Sequence, residues 1–262
     1  MELTQDNYFS PEMNWKYLSN SQYHDFVATG SYPGCEARAM ARLEGKFSEE
    51  PSEAMLIGSY LDAKYDNLLD EFKAKFPECF TLKGELRSGF KKAEEMIAVA
   101  EADELFSTYM AGQKQVIMTA ELFGVWFKIK LDSYHPGKAI VDMKTTRSIR
   151  EKVWDNGIKT SFIRAGGYID QAAIYQAVVE VVTGEHLPFF IAALSKETIV
   201  DKEIIEIPDI EMEMALGQIK LNLEHIVALK RGDYPAKSCG VCDFCKSKKV
   251  LSAPISLMDL EY

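Results

Sequence analysis

Three residues in the middle of the chain, Asp132, Asp142 and Lys144, have the types and spacing for phosphodiester hydrolysis. Lys130-Leu131-Asp132 closes one run of β-favouring residues and Val141-Asp142-Met143-Lys144 closes the next, with Pro136-Gly137 between them as a hairpin turn. Side chains two apart on a strand point to the same face. Asp142 and Lys144 therefore share a face, and the hairpin brings Asp132 alongside. Two carboxylates suit a hard cation such as Mg²⁺ or Mn²⁺, which takes oxygen ligands. Such an ion acidifies a water and offsets phosphate charge, while an ammonium stabilises the charge that develops during attack. The plain alternative is a solvent-facing strand end with ordinary charges, because a bare D-x(n)-D-x-K recurs by chance.

A second group lies near the C-terminus, Cys239-x-x-Cys242-x-x-Cys245. That spacing points to a metal or a cluster rather than a disulfide framework. Of the five cysteines, Cys35 and Cys79 stand far upstream, and Cys79 has no partner pattern. The four histidines, His24, His135, His186 and His225, show no metal-ligand spacing and none is expected to be a ligand.

The chain has 262 residues, 47% hydrophobic and 27% charged, which is ordinary for a soluble globular protein. No apolar run approaches a membrane span, and the acidic, polar N-terminus lacks the features of a signal peptide. The expected location is the cytoplasm, with no membrane partner. A net charge of −10 runs against nucleic-acid binding, but a phosphate backbone responds to local charge. Residues 128–164 are locally basic, as are 230–249.

The elements that must position these groups follow from the hydrophobic pattern. Helical spacing dominates the first hundred residues, with segments expected at 19–26, 35–43, 53–76 and 88–110. Runs 115–123, 125–134 and 139–143 are rich in β-branched and aromatic residues and predict a three-stranded antiparallel meander. A helix over 165–183 stopping at Gly184, strands at 187–195 and 198–207, and a helix over 210–231 complete the pattern. We read a single domain over 1–262, of α/β (α+β) class, with a helical part (about 1–112), a catalytic core (about 113–232) and a cysteine-rich tail (about 233–262).

On Asp132, Asp142-Met143-Lys144 and the downstream Gln171-Ala-Ala-Ile-Tyr175, the chain resembles the PD-(D/E)xK nuclease superfamily, in particular its RecB-like, exodeoxyribonuclease VIII-like phage branch. The resemblance runs from about residue 19 to 245 in the family's motif order. It implies a central mixed β-sheet with an antiparallel meander flanked by helices, as in restriction endonucleases. It also implies a Mg²⁺- or Mn²⁺-dependent exonuclease acting on DNA in phage recombination or end processing. Gln171 and Tyr175, four apart on a helix, would face the active site. The branch carries G-x-x-x-H upstream; here Gly58-Ser-Tyr-Leu-Asp62 puts Asp62 in the histidine's place as a metal-ligand candidate. Glu121 is a weaker acidic candidate. By the same resemblance Cys35 joins Cys239, Cys242 and Cys245 around a 4Fe–4S cluster, although the short last gap leaves Zn²⁺ or no metal open. A single-strand annealing recombination protein and a homo-oligomer are the partners such a relative would have. A catalytically inactive DNA- or protein-binding module on the same fold is the competing reading.

Overall fold

The structure, a computed structural model, describes residues 2–30, 32–155 and 157–260. The N-terminal part holds α1 (Pro11–Lys16), α2 (Asn20–Phe26), α3 (Glu36–Leu43), α4 (Glu53–Tyr65), α5 (Leu69–Lys75), α6 (Ser88–Glu101) and α7 (Glu104–Tyr109). A small hairpin, β1 (Ala28–Thr29) and β2 (Tyr32–Pro33), separates α2 from α3. Then come β3 (Val116–Leu122), β4 (Val125–Leu131), β5 (Ser133–His135) and β6 (Ala139–Thr146). A further hairpin of β7 (Val153–Asp155) and β8 (Ile158–Thr160) leads to α8 (Phe162–Ala165) and α9 (Tyr168–Thr183). Strands β9 (Phe189–Ser195) and β10 (Lys202–Ile207), then α10 (Asp209–Arg231) and α11 (Asp243–Ser247), follow.

The central sheet runs β10-β9-β6-β5, antiparallel at both edges and parallel between β6 and β9. A parallel neighbour requires a crossover, and α9 supplies it. Alternation along the strands splits the core into two layers. Ile140 on β6 and Phe189, Ile191 and Ala193 on β9 pack with α9 and α10. Val141, Met143, Ala192 and Leu194 point the other way, onto α4 and α6. Asp142 and Lys144 have the parity of Ile140, so they lie on the α9 face.

The meander differs from the expected three strands. β3 and β4 pair over their whole length, but the strand after the hairpin breaks at Asp132, and only its continuation β5 joins β6. Three expected helices are also divided. The 53–76 segment turns at Asn67, which has φ 60°, and Asp103 restarts the 88–110 segment as the N-cap of α7. Gly166-Gly167 separates α8 from α9. Each break is a local cap or left-handed turn that apolar periodicity does not register. Helix α1 and the two short hairpins were not expected at all.

Among the described residues, no helix is long and apolar enough to cross a membrane.

Candidate active site and thiol cluster

Asp142 sits in the middle of β6 and not at its end, 3% exposed, paired with Ile191 of β9 and adjoining Val141, where the pairing with β5 starts. The break at Asp132 lets that carboxylate turn towards β6, where its Oδ2 accepts a hydrogen bond from the Met143 backbone N–H at 3.1 Å. The Lys144 ammonium lies 2.5 Å from Asp142 Oδ2 and 5.0 Å from the Tyr168 ring centroid. Gln171, one turn into α9, donates from Nε2 to Asp142 Oδ1 at 2.6 Å. Asp62 comes from α4, and Tyr175 from the next turn of α9. All six expected residues, Asp62, Asp132, Asp142, Lys144, Gln171 and Tyr175, line one cavity of about 260 Å³. Glu121 is not among them; it is exposed on β3 opposite Trp126.

Electrostatics mark the cavity as short of positive charge. Burial, reinforced by Asp142 and Asp62, raises Asp132 well above the ordinary carboxylate range. Burial also pushes Asp62 up to about 7, with Lys144 opposing and Asp142 adding to the rise. Desolvation by itself would lower Lys144, yet Asp142 and Asp132 outweigh it and hold its pKa above the usual lysine value. Tyr175 is raised by burial and by Tyr8, Asp142 and Asp132. Three carboxylates thus share two ammoniums in this cavity, Lys144 and Lys130, and Asp142 Oδ2 is buried without a hydrogen bond of good geometry. A hard divalent cation fits that donor set: it would neutralise the excess charge and occupy the free carboxylate lone pairs. Among the described residues the three acids are not drawn into one tight ligand group as the thiols described below are.

Several residues at the site carry no motif in the sequence. Tyr8, Phe9, Ser19, Asn20, Ser21 and Lys130 complete the cavity wall. Lys130 could have been found, since it shares the strand parity of Asp132; Tyr8 and Phe9 could not, because they arrive from the far end of the chain. Leu18 docks beside β4, with its N–H on the Trp126 carbonyl at 2.8 Å and its carbonyl accepting from Lys128 at 3.0 Å. That contact carries the N-terminal segment over the site. Part of the local basic stretch is paired: Arg150 pairs with Glu203, Arg164 with Glu211 and Arg147 with Glu151, while Lys128 is buried.

Cys35, Cys239, Cys242 and Cys245 form the second cluster, their sulfurs all within 4.8 Å of one another. All four are free thiols, with Cys35 Sγ 3.6 Å and Cys239 Sγ 3.9 Å from Cys245 Sγ. Cys35 is the N-cap of α3, and α11 brings Cys242 and Cys245 to it. The tail is held there by Ala37 N–H to the Lys237 carbonyl (3.0 Å), Lys237 N–H to Glu36 (2.8 Å) and a Phe47–Phe244 edge contact. A hydrogen bond from Ser238 lowers Cys245 to about 6, whereas burial lifts Cys242 to about 12 and raises Cys35. Cys79 lies apart, buried in the α4–α6 layer as an inert thiol. The histidines are used elsewhere: His24 pairs with Asp170, His186 with Glu180 and His225 with Glu36.

Comparison with known proteins agrees with this fold. A family profile described as a PDDEXK-like domain of unknown function matches residues 19–248. A crystal structure from Eubacterium rectale, provisionally described as an exonuclease, is 48% identical and superposes with a TM-score of 0.96 over 99% of this chain and 98% of that one. No curated protein matches. The chain belongs to the family of PDDEXK-like domains and has a nuclease-type fold.

Proposed function

We propose that the protein is a divalent-metal-dependent deoxyribonuclease that degrades DNA from an end. The convergence of Asp62, Asp132, Asp142, Lys144, Gln171 and Tyr175 on one cavity supports this reading above all. Asp132, Asp142 and Asp62 would hold the Mg²⁺ or Mn²⁺. The bound ion supplies Lewis-acid stabilisation of the phosphate and a more acidic water. The chain's own groups do the rest. Lys144, kept protonated by two aspartates, sets a fixed positive charge beside the scissile phosphate as negative charge builds there. Gln171 locks the Asp142 carboxylate in one orientation through Oδ1, while Oδ2 lies beside the Lys144 ammonium. The Asp132 carboxylate is fixed by the Met143 N–H, so neither acid needs to reorganise during the reaction.

The test is hydrolysis of linear duplex, single-stranded and closed-circular DNA with and without Mg²⁺ or Mn²⁺. Degradation of linear but not circular DNA is expected. Asp142→Asn and Lys144→Ala should each lose at least ~10³-fold in kcat while the far-ultraviolet circular dichroism stays native. Full activity in both variants would reject the assignment, and cutting of circles would reject the end dependence.

For the thiol cluster we favour one tetrahedral Zn²⁺ over a 4Fe–4S cluster. Four thiolates at ~2.3 Å from a single zinc lie ~3.8 Å from each other, which matches the observed separations. In a cubane each cysteine binds a different iron, so the sulfurs stand apart by an iron–iron edge as well as their own bonds, beyond the 4.8 Å that encloses all four here.

A further inference from the structure

Phe9 is 70% exposed although its ring forms part of the wall of the catalytic cavity. Isolated apolar residues on a surface are common and need no explanation. Phe9 differs because its backbone is pinned. The Phe9 carbonyl accepts from Asn14 Nδ2 at 3.1 Å, and Ser10 N–H donates to the Asn7 carbonyl at 2.9 Å. The Tyr8 carbonyl accepts from the buried Lys128 ammonium, and Tyr8 itself is 5% exposed with its ring edge-on to Phe9 at 4.9 Å. Moving the Phe9 backbone away from the site would break these contacts. The Lys130 ammonium lies 5.3 Å from the Phe9 ring centroid and lines the same cavity. An aromatic face beside an ammonium suits a nucleotide, since the ring stacks on a base and the charge meets the neighbouring phosphate. A cavity of about 260 Å³ has room for about one nucleotide of a strand.

We propose that Phe9 stacks on a base next to the scissile phosphate, with Lys130 on the adjoining phosphate, so that the site accepts an unpaired DNA strand. This rests on the deoxyribonuclease reading. The probes are a single-stranded oligonucleotide, the same oligonucleotide with abasic sites near its ends, and a blunt duplex. Metal-dependent cleavage and fluorescence-anisotropy binding are both measured. Phe9→Ala should raise KM and weaken binding about tenfold for the intact strand, leave kcat within twofold, and scarcely change binding of the abasic strand. Phe9→Trp should restore the wild-type values. Equal affinity of wild type and Phe9→Ala for the intact strand would overturn the proposal, as would an equal loss on the abasic strand or a preference for blunt duplex. Absence of cleavage by the wild-type protein on every DNA would instead reject the nuclease reading, and the binding comparison would still decide the role of Phe9.

Discussion

Asp142 receives the Lys144 ammonium on one oxygen and the Gln171 amide on the other, and these two contacts make different demands on it. The lysine contact is electrostatic and tolerates small displacements. The amide contact is directional and sets the plane of the carboxylate. Gln171→Ala should therefore reduce kcat or raise the metal requirement by ~10–100-fold, the usual cost of removing a group that orients a metal ligand. Gln171→Glu should be worse, because it adds a fourth carboxylate to a cavity already lined by three and sets it against Asp142. Steady-state kinetics against Mn²⁺ concentration, with melting temperature as the control for folding, checks both. Gln171 and the aspartates were legible in the sequence as residue types at a spacing. The amide-to-carboxylate contact was not, because it joins a helix and a strand about thirty residues apart.

Helix α9 presents Gln171 and Tyr175 only if it starts at the right residue, and Gly167 sets that start. Gly167 has φ +63°, and a Cβ there would come within 2.7 Å of the buried His24 ring. Gly167→Ala should cost ~1–3 kcal/mol, read from the denaturation midpoint, with a loss of activity as α9 shifts. On β4, Lys128 is held by the Tyr8 carbonyl and Asn14 Oδ1 under the N-terminal segment. Burial, then the charge of Lys230, lowers its pKa from 10.5 to about 8. Below pH 8 the folded chain bears the full cost of that buried ammonium. Between 8 and 10.5 the native state releases the proton while the unfolded chain keeps it, so stability rises with pH. Urea midpoints should climb from pH 8 to 9.5, and Lys128→Met should flatten part of that climb. Lys230, also lowered to about 8 by burial, supplies the remainder.

At the scale of the whole molecule, the two ends of the chain close over the core in different ways. The N-terminal segment lies against β4 through Leu18 and Tyr8, and the tail lies against α3 through the four thiols. The tail has few apolar contacts of its own; its cluster is the cysteines with Ala37 and Phe244. A metal there would be its main attachment. Elemental analysis of the purified protein should give one zinc per chain and no iron, with no visible absorbance. Cys239→Ser should lose that zinc and lower the melting temperature, by about 2–4 °C for each kcal/mol lost. Stoichiometric iron with a broad band near the blue would refute the single-ion reading.

Much of this protein was legible in the sequence, because the relevant signals are short-range. Runs rich in β-branched and aromatic residues marked the strands, parity placed Asp142 and Lys144 on one face, and i,i+4 spacing placed Gln171 with Tyr175. The cysteine triplet announced a ligand set. Tertiary structure alone decided five things. It placed Asp142 mid-strand beside β9, where burial makes its charge matter. It broke the strand at Asp132, turned Phe9 and Lys130 into a wall of the site, and left Glu121 outside. It also drew four sulfurs close enough for one ion. Each of these depends on contacts between segments distant in the chain, and hydrophobic periodicity carries no information about which distant segment will arrive or how near.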